Sequence, residues 1–242
     1  MAERRVDYFV SDVHLGLRVG DPKEREERFL SFLKGIPRDT TRSLYLLGDI
    51  WDFWYEYRDV VPREGTRVIA QLIDLMDCGV KVYFFEGNHD MWAYSFFEEL
   101  GIVKLQQPCF LTIDGREYCL AHGDGLIREK FSVRLMYGVF HSKVARVLFS
   151  TLHPWIAFRF GNGWSGSNRR SHKPYHFRGK EEPVLQYAEK VSRERHVDCF
   201  IFGHYHDFVD LGLDSGARFI ILKDWIDGGQ PHARLEDGVI SF

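Results

Sequence analysis

Ser43-Leu44-Tyr45-Leu46-Leu47-Gly48-Asp49-Ile50-Trp51-Asp52 is a short apolar run that stops at a glycine and a carboxylate. A run of that length, closed by a turn signal, fits a strand buried on both faces. The same grammar recurs on either side. Val6–Val10 leads into Ser11-Asp12-Val13-His14, Lys81–Phe85 into Glu86-Gly87-Asn88-His89-Asp90, Tyr118–Ala121 into His122-Gly123-Asp124, and Val197–Phe202 into Gly203-His204-Tyr205-His206. Between the first three runs the apolar spacing turns helical, over Pro22–Lys34 through Phe29, Leu30 and Leu33, and over Arg67–Met76 through Val68, Leu72 and Leu75. Strands separated by helices predict a parallel sheet covered on both faces.

Further along, the period shortens. Phe110–Ile113 and Tyr118–Ala121 flank Asp114-Gly115 as a hairpin, and Val209–Leu213, Arg218–Leu222 and Val239–Phe242 read as further strands. The mixture predicts an α/β fold of two sheets flanked by helices. At 242 residues, one domain over 1–242 with an embedded insertion at 125–180 fits better than two domains. No stretch approaches the roughly 18 to 20 apolar residues of a spanning helix, and the start lacks the apolar core of a secretory signal, so a cytoplasmic protein is expected. Cys78, Cys109, Cys119 and Cys199 form no C-x-x-C pair and are expected as buried thiols outside any disulfide framework.

The net charge of −3 conceals an asymmetry: residues 125–180 carry eleven Lys or Arg against a single acid, Glu129. That segment attracts anions. Its apolar positions also fall at helical spacing, through Phe131, Leu135 and Val139, through Met136, Phe140 and Val144, then Leu148 and Leu152. Around them lie Arg128, Lys130, Arg134, Lys143 and Arg146. Periodicity alone favours helices packed on the core, whereas the one-sided charge suits a lid over an anionic amphiphile. Nucleic-acid binding accounts for the charge but less naturally for the apolar width.

Five strand ends therefore present oxygen donors and imidazoles that can meet at one edge of the sheets, where open sheets bind ligands. Asp12 and His14, two apart, point the same way in an extended segment and can hold one ion; His204 and His206 repeat that spacing. Asp49 can then bridge two ions, with Asn88 and His122 completing the second. Donors of this mixture, without thiolate, suit manganese, iron or zinc. Any one of these pieces occurs often for structural reasons, as a turn or a capping histidine, but five in order do not.

The ordered set Asp-x-His, Gly-Asp, Gly-Asn-His-Asp, His-Gly-Asp and Gly-His-x-His, from Asp12 to His206, resembles the calcineurin-like metallophosphoesterase superfamily. The resemblance implies a four-layer αββα sandwich of two mixed sheets and two divalent cations, manganese first, with iron or zinc as alternatives. It implies Asp12, His14, Asp49 and His206 at one ion and Asp49, Asn88, His122 and His204 at the other. It also makes His89 an acid or transition-state stabiliser oriented by Asp90, and leaves Asp52, Asp90 and Asp124 to turns or hydrogen bonds behind the ligands.

The aromatic form of the second motif, Asp49 to Tyr57, and an insertion after His-Gly-Asp resemble a narrower branch, the UDP-2,3-diacylglucosamine diphosphatases of lipid A synthesis. That branch implies cleavage of a UDP-linked diacylated glucosamine to UMP and 2,3-diacylglucosamine 1-phosphate. It also implies a peripheral seat on the anionic inner face of the inner membrane, without nucleic acid. The best-known members of the branch place Arg where this chain has His89, the superfamily's commoner residue. The resemblance places phosphate and glucosamine contacts at Asn168, Arg169, Arg170 and Lys173, which read equally as a basic loop. Trp164 and Tyr175 either stack on uracil or anchor that loop. A phosphodiesterase or nuclease with a soluble substrate stays open, as does a non-catalytic interaction module, although the latter calls for degraded ligands and none of the seven is degraded.

Overall fold

The computed structural model describes residues 4–126, 138–140, 142–171 and 175–242, with only the backbone described at 162 and 164–171. Among the described residues, eleven strands form two mixed sheets. In the first, β1 (Val6–Val10), β2 (Thr41–Leu47), β3 (Lys81–Phe85) and β4 (Val103–Leu105) run parallel. Antiparallel β10 (Ala233–Glu236) and β11 (Val239–Ser241) complete its β1 side. The second sheet has the order β5 (Cys109–Ile113), β6 (Arg116–Ala121), β7 (Cys199–Phe202), β9 (Arg218–Ile221) and β8 (Val209–Gly212), parallel through β6, β7 and β9.

Period-two alternation builds the layers. Phe9, Tyr45, Leu47 and Phe85 face inward from the first sheet and meet Tyr118, Leu120, Ile201 and Ile220 from the second. The opposite face of the first sheet, with Tyr8, Val10, Leu44, Leu46, Val82 and Phe84, is covered by α1 (Pro22–Gly35) and α2 (Thr66–Asp77) through Phe29, Leu33, Leu72 and Leu75. The α1 start is set by Asp21, whose carboxylate accepts from the amides of Lys23 and Glu24 ahead of Pro22 in the first turn. On the far side of the second sheet, Cys119, Phe200, Phe202 and Phe219 pack against Val184, Leu185, Ala188 and Val191. These four lie on one stripe of a helix spanning Pro183–Glu194. The result is helix, sheet, sheet, helix.

Strands β1 and β3 coincide with the apolar runs that predict them, whereas β4, β10, a short α3 (Phe96–Glu99) and the Pro183–Glu194 helix are additions. The inserted segment contributes α4 (Lys143–Ser150) and α5 (Pro154–Ser171), which makes Pro183–Glu194 α6. Phe131, Leu135, Met136, Arg128, Lys130 and Arg134 lie outside the described residues. The cysteine expectation needs correction: Cys119 and Cys199 are buried thiols, but Cys78 is exposed and Cys109 half-buried.

One ion-pair network joins the two sheets. Arg42 on β2 donates to the wholly buried Asp7 of β1 at 3.1 Å and to Asp114, in the β5–β6 turn, at 2.6 Å. Burial pushes the Asp7 carboxyl above its ordinary range against the pull of Arg42. Arg42→Ala is therefore expected to lower the unfolding free energy by roughly 3 kcal/mol, because a buried charge loses its partner. Adding Asp7→Asn is expected to recover much of that loss. Urea midpoints check both, and a midpoint for Arg42→Ala equal to that of the wild type would contradict the network's role.

Candidate metal centre

The C-terminal ends of β1, β2, β3, β6 and β7 bring the five motifs to one edge of the sandwich, and backbone hydrogen bonds sew them together. The amide of Asp12 donates to Gly48 O at 3.1 Å, that of His14 to Asp49 O at 3.0 Å, and that of Gly203 to His122 O at 2.9 Å. Asp12, His14, Asp49, His204 and His206 all have φ between 51° and 70°, in the left-handed region. Non-glycine residues there cost on the order of 1 kcal/mol or more each, and such strain clusters at functional sites. Asp12 and His14 are thus gathered by kinked backbone, in place of the extended alternation expected from their spacing. Glycine is required where the segments touch: a Cβ on Gly87 would lie 2.3 Å from Asp49 Oδ1, and one on Gly203 1.8 Å from Ser11 Oγ.

Two groups of donors result, each with its ligand atoms within 4.8 Å of one another: Asp12, His14 and His206, and Asp49, His122 and His204. His204 and His206, read from spacing as a repeat of one geometry, go to different groups. A third such group comprises His14, Asp49 and His89, so His14 and Asp49 stand between the others. His14 Nε2 lies 3.6 Å from Asp12 Oδ1 and 3.6 Å from Asp49 Oδ2, and His122 Nε2 lies 3.4 Å from the same Asp49 oxygen.

For Asp12, Asp49 and His122 the atoms facing away from the centre are engaged by the polypeptide. Asp12 Oδ2 accepts from Ser11 Oγ at 2.6 Å and from the His204 amide at 2.8 Å. Asp49 Oδ1 accepts from the His89 amide at 2.9 Å. His122 Nδ1 lies 2.8 Å from Leu47 O, a group that only accepts, so this nitrogen carries the proton and Nε2 is free to ligate. Among buried side-chain atoms without a hydrogen-bond partner are Asp12 Oδ1, Asn88 Oδ1 and His122 Nε2. Such orphans are costly unless something absent from the polypeptide satisfies them. Their chemistry, two oxygens and an imidazole nitrogen, fits hard or borderline divalent cations.

Charge tells the same story. Burial opposes ionisation of Asp12 and Asp49, yet the facing imidazoles, His206 for Asp12 and His122 for Asp49, hold both carboxyls below the ordinary range. Burial also works to lower the His122 pKa, but Asp49 raises it well above normal, while His204 is pushed down to about 4 by burial and the neighbouring His122. The centre retains negative charge that a proton on His122 only partly offsets, and a cation suits it better.

Asp90 does not orient His89. Its buried carboxylate accepts from the amides of Gly87 at 2.8 Å, Asp49 at 3.2 Å and Ile50 at 2.8 Å, locking the second and third motifs together. The His89 ring is held by Asp52, with Nδ1 2.8 Å from the Asp52 carbonyl, and Asp52 Oδ1 also lies 3.3 Å from His14 Nδ1. Asp224 is absent from the sequence reading although the signal was there: Leu222-Lys223-Asp224 closes the apolar run of β9 with a carboxylate, as the other strands close. Buried, Asp224 lies 3.1 Å from His206 Nδ1 and accepts from the Ile226 amide at 2.7 Å, while the next amide, Trp225, donates to Asp12 O.

The inserted helices are seated on the metal motifs by aromatic side chains. Tyr55 Oη donates to Arg146 O at 2.8 Å, Tyr57 Oη to Leu152 O at 3.2 Å, and Trp92 Nε1 to Phe140 O at 3.1 Å. Phe149 packs on Tyr55 and Trp92, and α5 passes so close to Phe53 that a Cβ on Gly161 would lie 2.5 Å from its ring. Outward, Val139, Val144, Val147, Leu148, Leu152, Trp155, Ile156 and Phe160 are exposed, Val144 by 68% and Trp155 by 64%. Tyr175 anchors its loop, its hydroxyl donating to buried Glu182 and its ring against Tyr205. Lys173 lies outside the described residues, as do the side chains of Trp164, Asn168, Arg169 and Arg170.

The sequence profile of the calcineurin-like phosphoesterase family matches residues 8–208. The chain is 37% identical to the UDP-2,3-diacylglucosamine hydrolase of Porphyromonas gingivalis, over 90% of each chain. It is 31% identical to the protein of that name from Neisseria gonorrhoeae, over 91% of this chain and 90% of the relative. A dimetal phosphatase from Danio rerio shares the fold, with a TM-score of 0.51 and 16% identity over 97% of this chain and 93% of that one.

Asp224→Asn removes the charge behind His206 while keeping its size. It is expected to weaken binding of the first divalent ion by about 10- to 100-fold, as losses behind a ligating histidine do, without shifting the far-ultraviolet circular dichroism. Calorimetric titration with Mn²⁺ measures this, and unchanged affinity would show that Asp224 does not support the centre.

Proposed function

The chain belongs to the calcineurin-like phosphoesterase family, and we propose that it cleaves the pyrophosphate of UDP-2,3-diacylglucosamine, releasing UMP and 2,3-diacylglucosamine 1-phosphate. The observation that carries this reading is the likeness to the Porphyromonas gingivalis hydrolase over 90% of both chains. The architecture supports it, because an inserted element rich in exposed apolar and basic side chains is fastened directly to a dinuclear metal motif.

Asp12, His14, Asp49 and His206 would hold one ion, and Asp49, Asn88, His122 and His204 the other. Divalent cations held there, manganese by the mixed donor set, would supply Lewis acidity toward a water molecule and the phosphoryl oxygens. The polypeptide supplies the rest. Ser11 and the His204 amide fix the Asp12 carboxylate, Leu47 O fixes the His122 tautomer, and Asp90 holds the loop that presents Asp49. Because the carbonyl of Asp52 can only accept, His89 carries its proton on Nδ1, leaving Nε2 to donate to a phosphoryl or leaving oxygen when the ring is protonated.

The segment at 125–180 acts as the lid over the acylated half of the substrate. Its outward apolar side chains, together with Lys143 and Arg159, suit an anionic bilayer surface. No helix among the described residues is long and apolar enough to cross a membrane. From that outward face we infer a peripheral seat on the inner face of the inner membrane, and from the family resemblance alone we assign Asn168, Arg169, Arg170 and Lys173 to recognition of the sugar phosphate.

With Mn²⁺, UMP release from UDP-2,3-diacylglucosamine is expected to exceed release from UDP-N-acetylglucosamine by about 100-fold or more, since each buried methylene contributes roughly 0.8 kcal/mol. Asp49→Ala and His122→Ala should abolish both. Equal turnover of the two substrates would remove the lipid from the account. In a separate sedimentation assay, Trp155→Asp/Ile156→Asp should lower partitioning onto phosphatidylglycerol vesicles by about tenfold or more; unaltered partitioning would refute membrane seating through this face.

A further inference from the structure

A cavity of about 490 Å³ opens beside the metal centre and is lined by Glu86, Gly87, Met91, Glu98, Lys104, Leu105, Gln106, Gln107 and Asp124. It touches the centre at two places, since Gly87 precedes Asn88 and Asp124 lies two residues beyond His122. Among the described residues, none of its walls comes from α4 or α5. The volume falls in the range of small-molecule sites, roughly 300 to 1,000 Å³.

The wall chemistry excludes two parts of the proposed substrate and admits the third. Three carboxylates against one ammonium repel a phosphate, and Lys104 is already committed, 2.8 Å from Glu86 Oε1 and bonded to the carbonyls of Ala93 and Tyr94. So polar a lining is equally wrong for acyl chains. What fits is a neutral group that combines a flat ring with hydroxyls. Met91 and Leu105 offer apolar surface to a ring, a carboxamide such as Gln106 can both donate to and accept from a pyrimidine edge, and carboxylates accept from ribose hydroxyls as acids do in dinucleotide sites. Gln107 belongs to the frame: its amide donates to Asp124 Oδ1 at 2.6 Å, and its oxygen accepts from the Gly123 amide at 3.0 Å. By contrast, the side chains of Gln106 and Glu98 have no hydrogen-bond or ion-pair partner among the described residues, and both line the cavity.

We propose that this cavity is the nucleoside subsite, taking the uridine of the substrate while its phosphates lie on the metal centre and its acylated sugar lies under the inserted helices. The assignment rests on the reaction proposed above and adds a separate claim about where the leaving nucleotide is read. It makes Gln106 and Glu98 specificity residues remote from the apolar insertion.

The test compares wild type, Gln106→Ala and Glu98→Gln, each loaded with Mn²⁺. UMP and ribose 5-phosphate are titrated calorimetrically, and KM and kcat are measured on UDP-2,3-diacylglucosamine. Wild type is expected to bind UMP about tenfold or more tightly than ribose 5-phosphate, as a site built to hydrogen-bond a base does. Each substitution should erase most of that preference and raise KM by more than it lowers kcat. Equal binding of the two ligands by wild type, or a preference that survives both substitutions, overturns the subsite. Turnover by wild type with unchanged KM in the variants overturns it while leaving the proposed reaction standing. If wild type fails to release UMP, the reaction is overturned instead, and a UMP preference sensitive to Gln106 and Glu98 would still identify a nucleotide site.

Discussion

Asp12 and Asp49 are buried on either side of one imidazole, with His14 Nε2 3.6 Å from each. Two carboxylates that close, away from water, repel unless positive charge stands between them. Much of the surrounding structure follows from holding that arrangement. Parallel strands deliver the carboxylates to one edge, but an ordinary strand exit would carry them apart. Left-handed backbone at Asp12, His14, Asp49, His204 and His206 turns them back toward one another. Glycines at 87 and 203 let the loops approach closely enough for the turns to interlock. The strain is tolerable because the carboxylate of Asp90, the hydroxyl of Ser11 and the cross-loop amides leave each loop few alternatives. Cations bound to the folded chain stabilise it further by mass action.

The same loops carry the seat for the inserted helices. Phe53, Tyr55 and Tyr57 follow Asp52 within a few residues, so the surface that grips α4 and α5 is continuous with the one that presents Asp49 and positions His89. Aromatic hydroxyls and an indole answer backbone carbonyls of the insertion, and their rings fill its inner face. The outer face keeps its large apolar side chains in solvent, which for a soluble globule is unusual when they are contiguous in sequence and flanked by basic residues. The metal-bearing loops and the inserted helices are in this way mechanically joined.

The layered fold was legible because Val6–Val10 and Lys81–Phe85 are apolar runs cut off by polar motifs, and a buried parallel strand has little freedom to extend past such a stop. The short strands were less so: Val103–Leu105, at one edge of its sheet, and Ala233–Glu236, one strand in from the other edge, are mixed in polarity, since a strand paired late or covered on one face needs no continuous run. The Pro183–Glu194 helix carries a clear stripe in Val184, Leu185, Ala188 and Val191, so its signal was present in the sequence directly after the basic insertion. Within the site, residue types were readable from spacing and directions were not. Spacing assumes extended backbone, whereas left-handed turns send His204 and His206 to different donor groups, the division that the resemblance implies. Asp90 and Asp52 depart from expectation for the same reason: the main-chain carbonyl of Asp52, and not the Asp90 carboxylate, meets the His89 ring, and adjacency in sequence does not encode that loop geometry.

On this account the backbone of the five loops is shaped to keep two cations between buried carboxylates. Metal-free protein titrated with Mn²⁺ and followed by electron paramagnetic resonance addresses it directly. Two ions about 3.5 to 4 Å apart, sharing Asp49, should give an exchange-coupled multiline signal once two equivalents are bound. Saturation at one equivalent with the six-line signal of an isolated ion would contradict the shared centre.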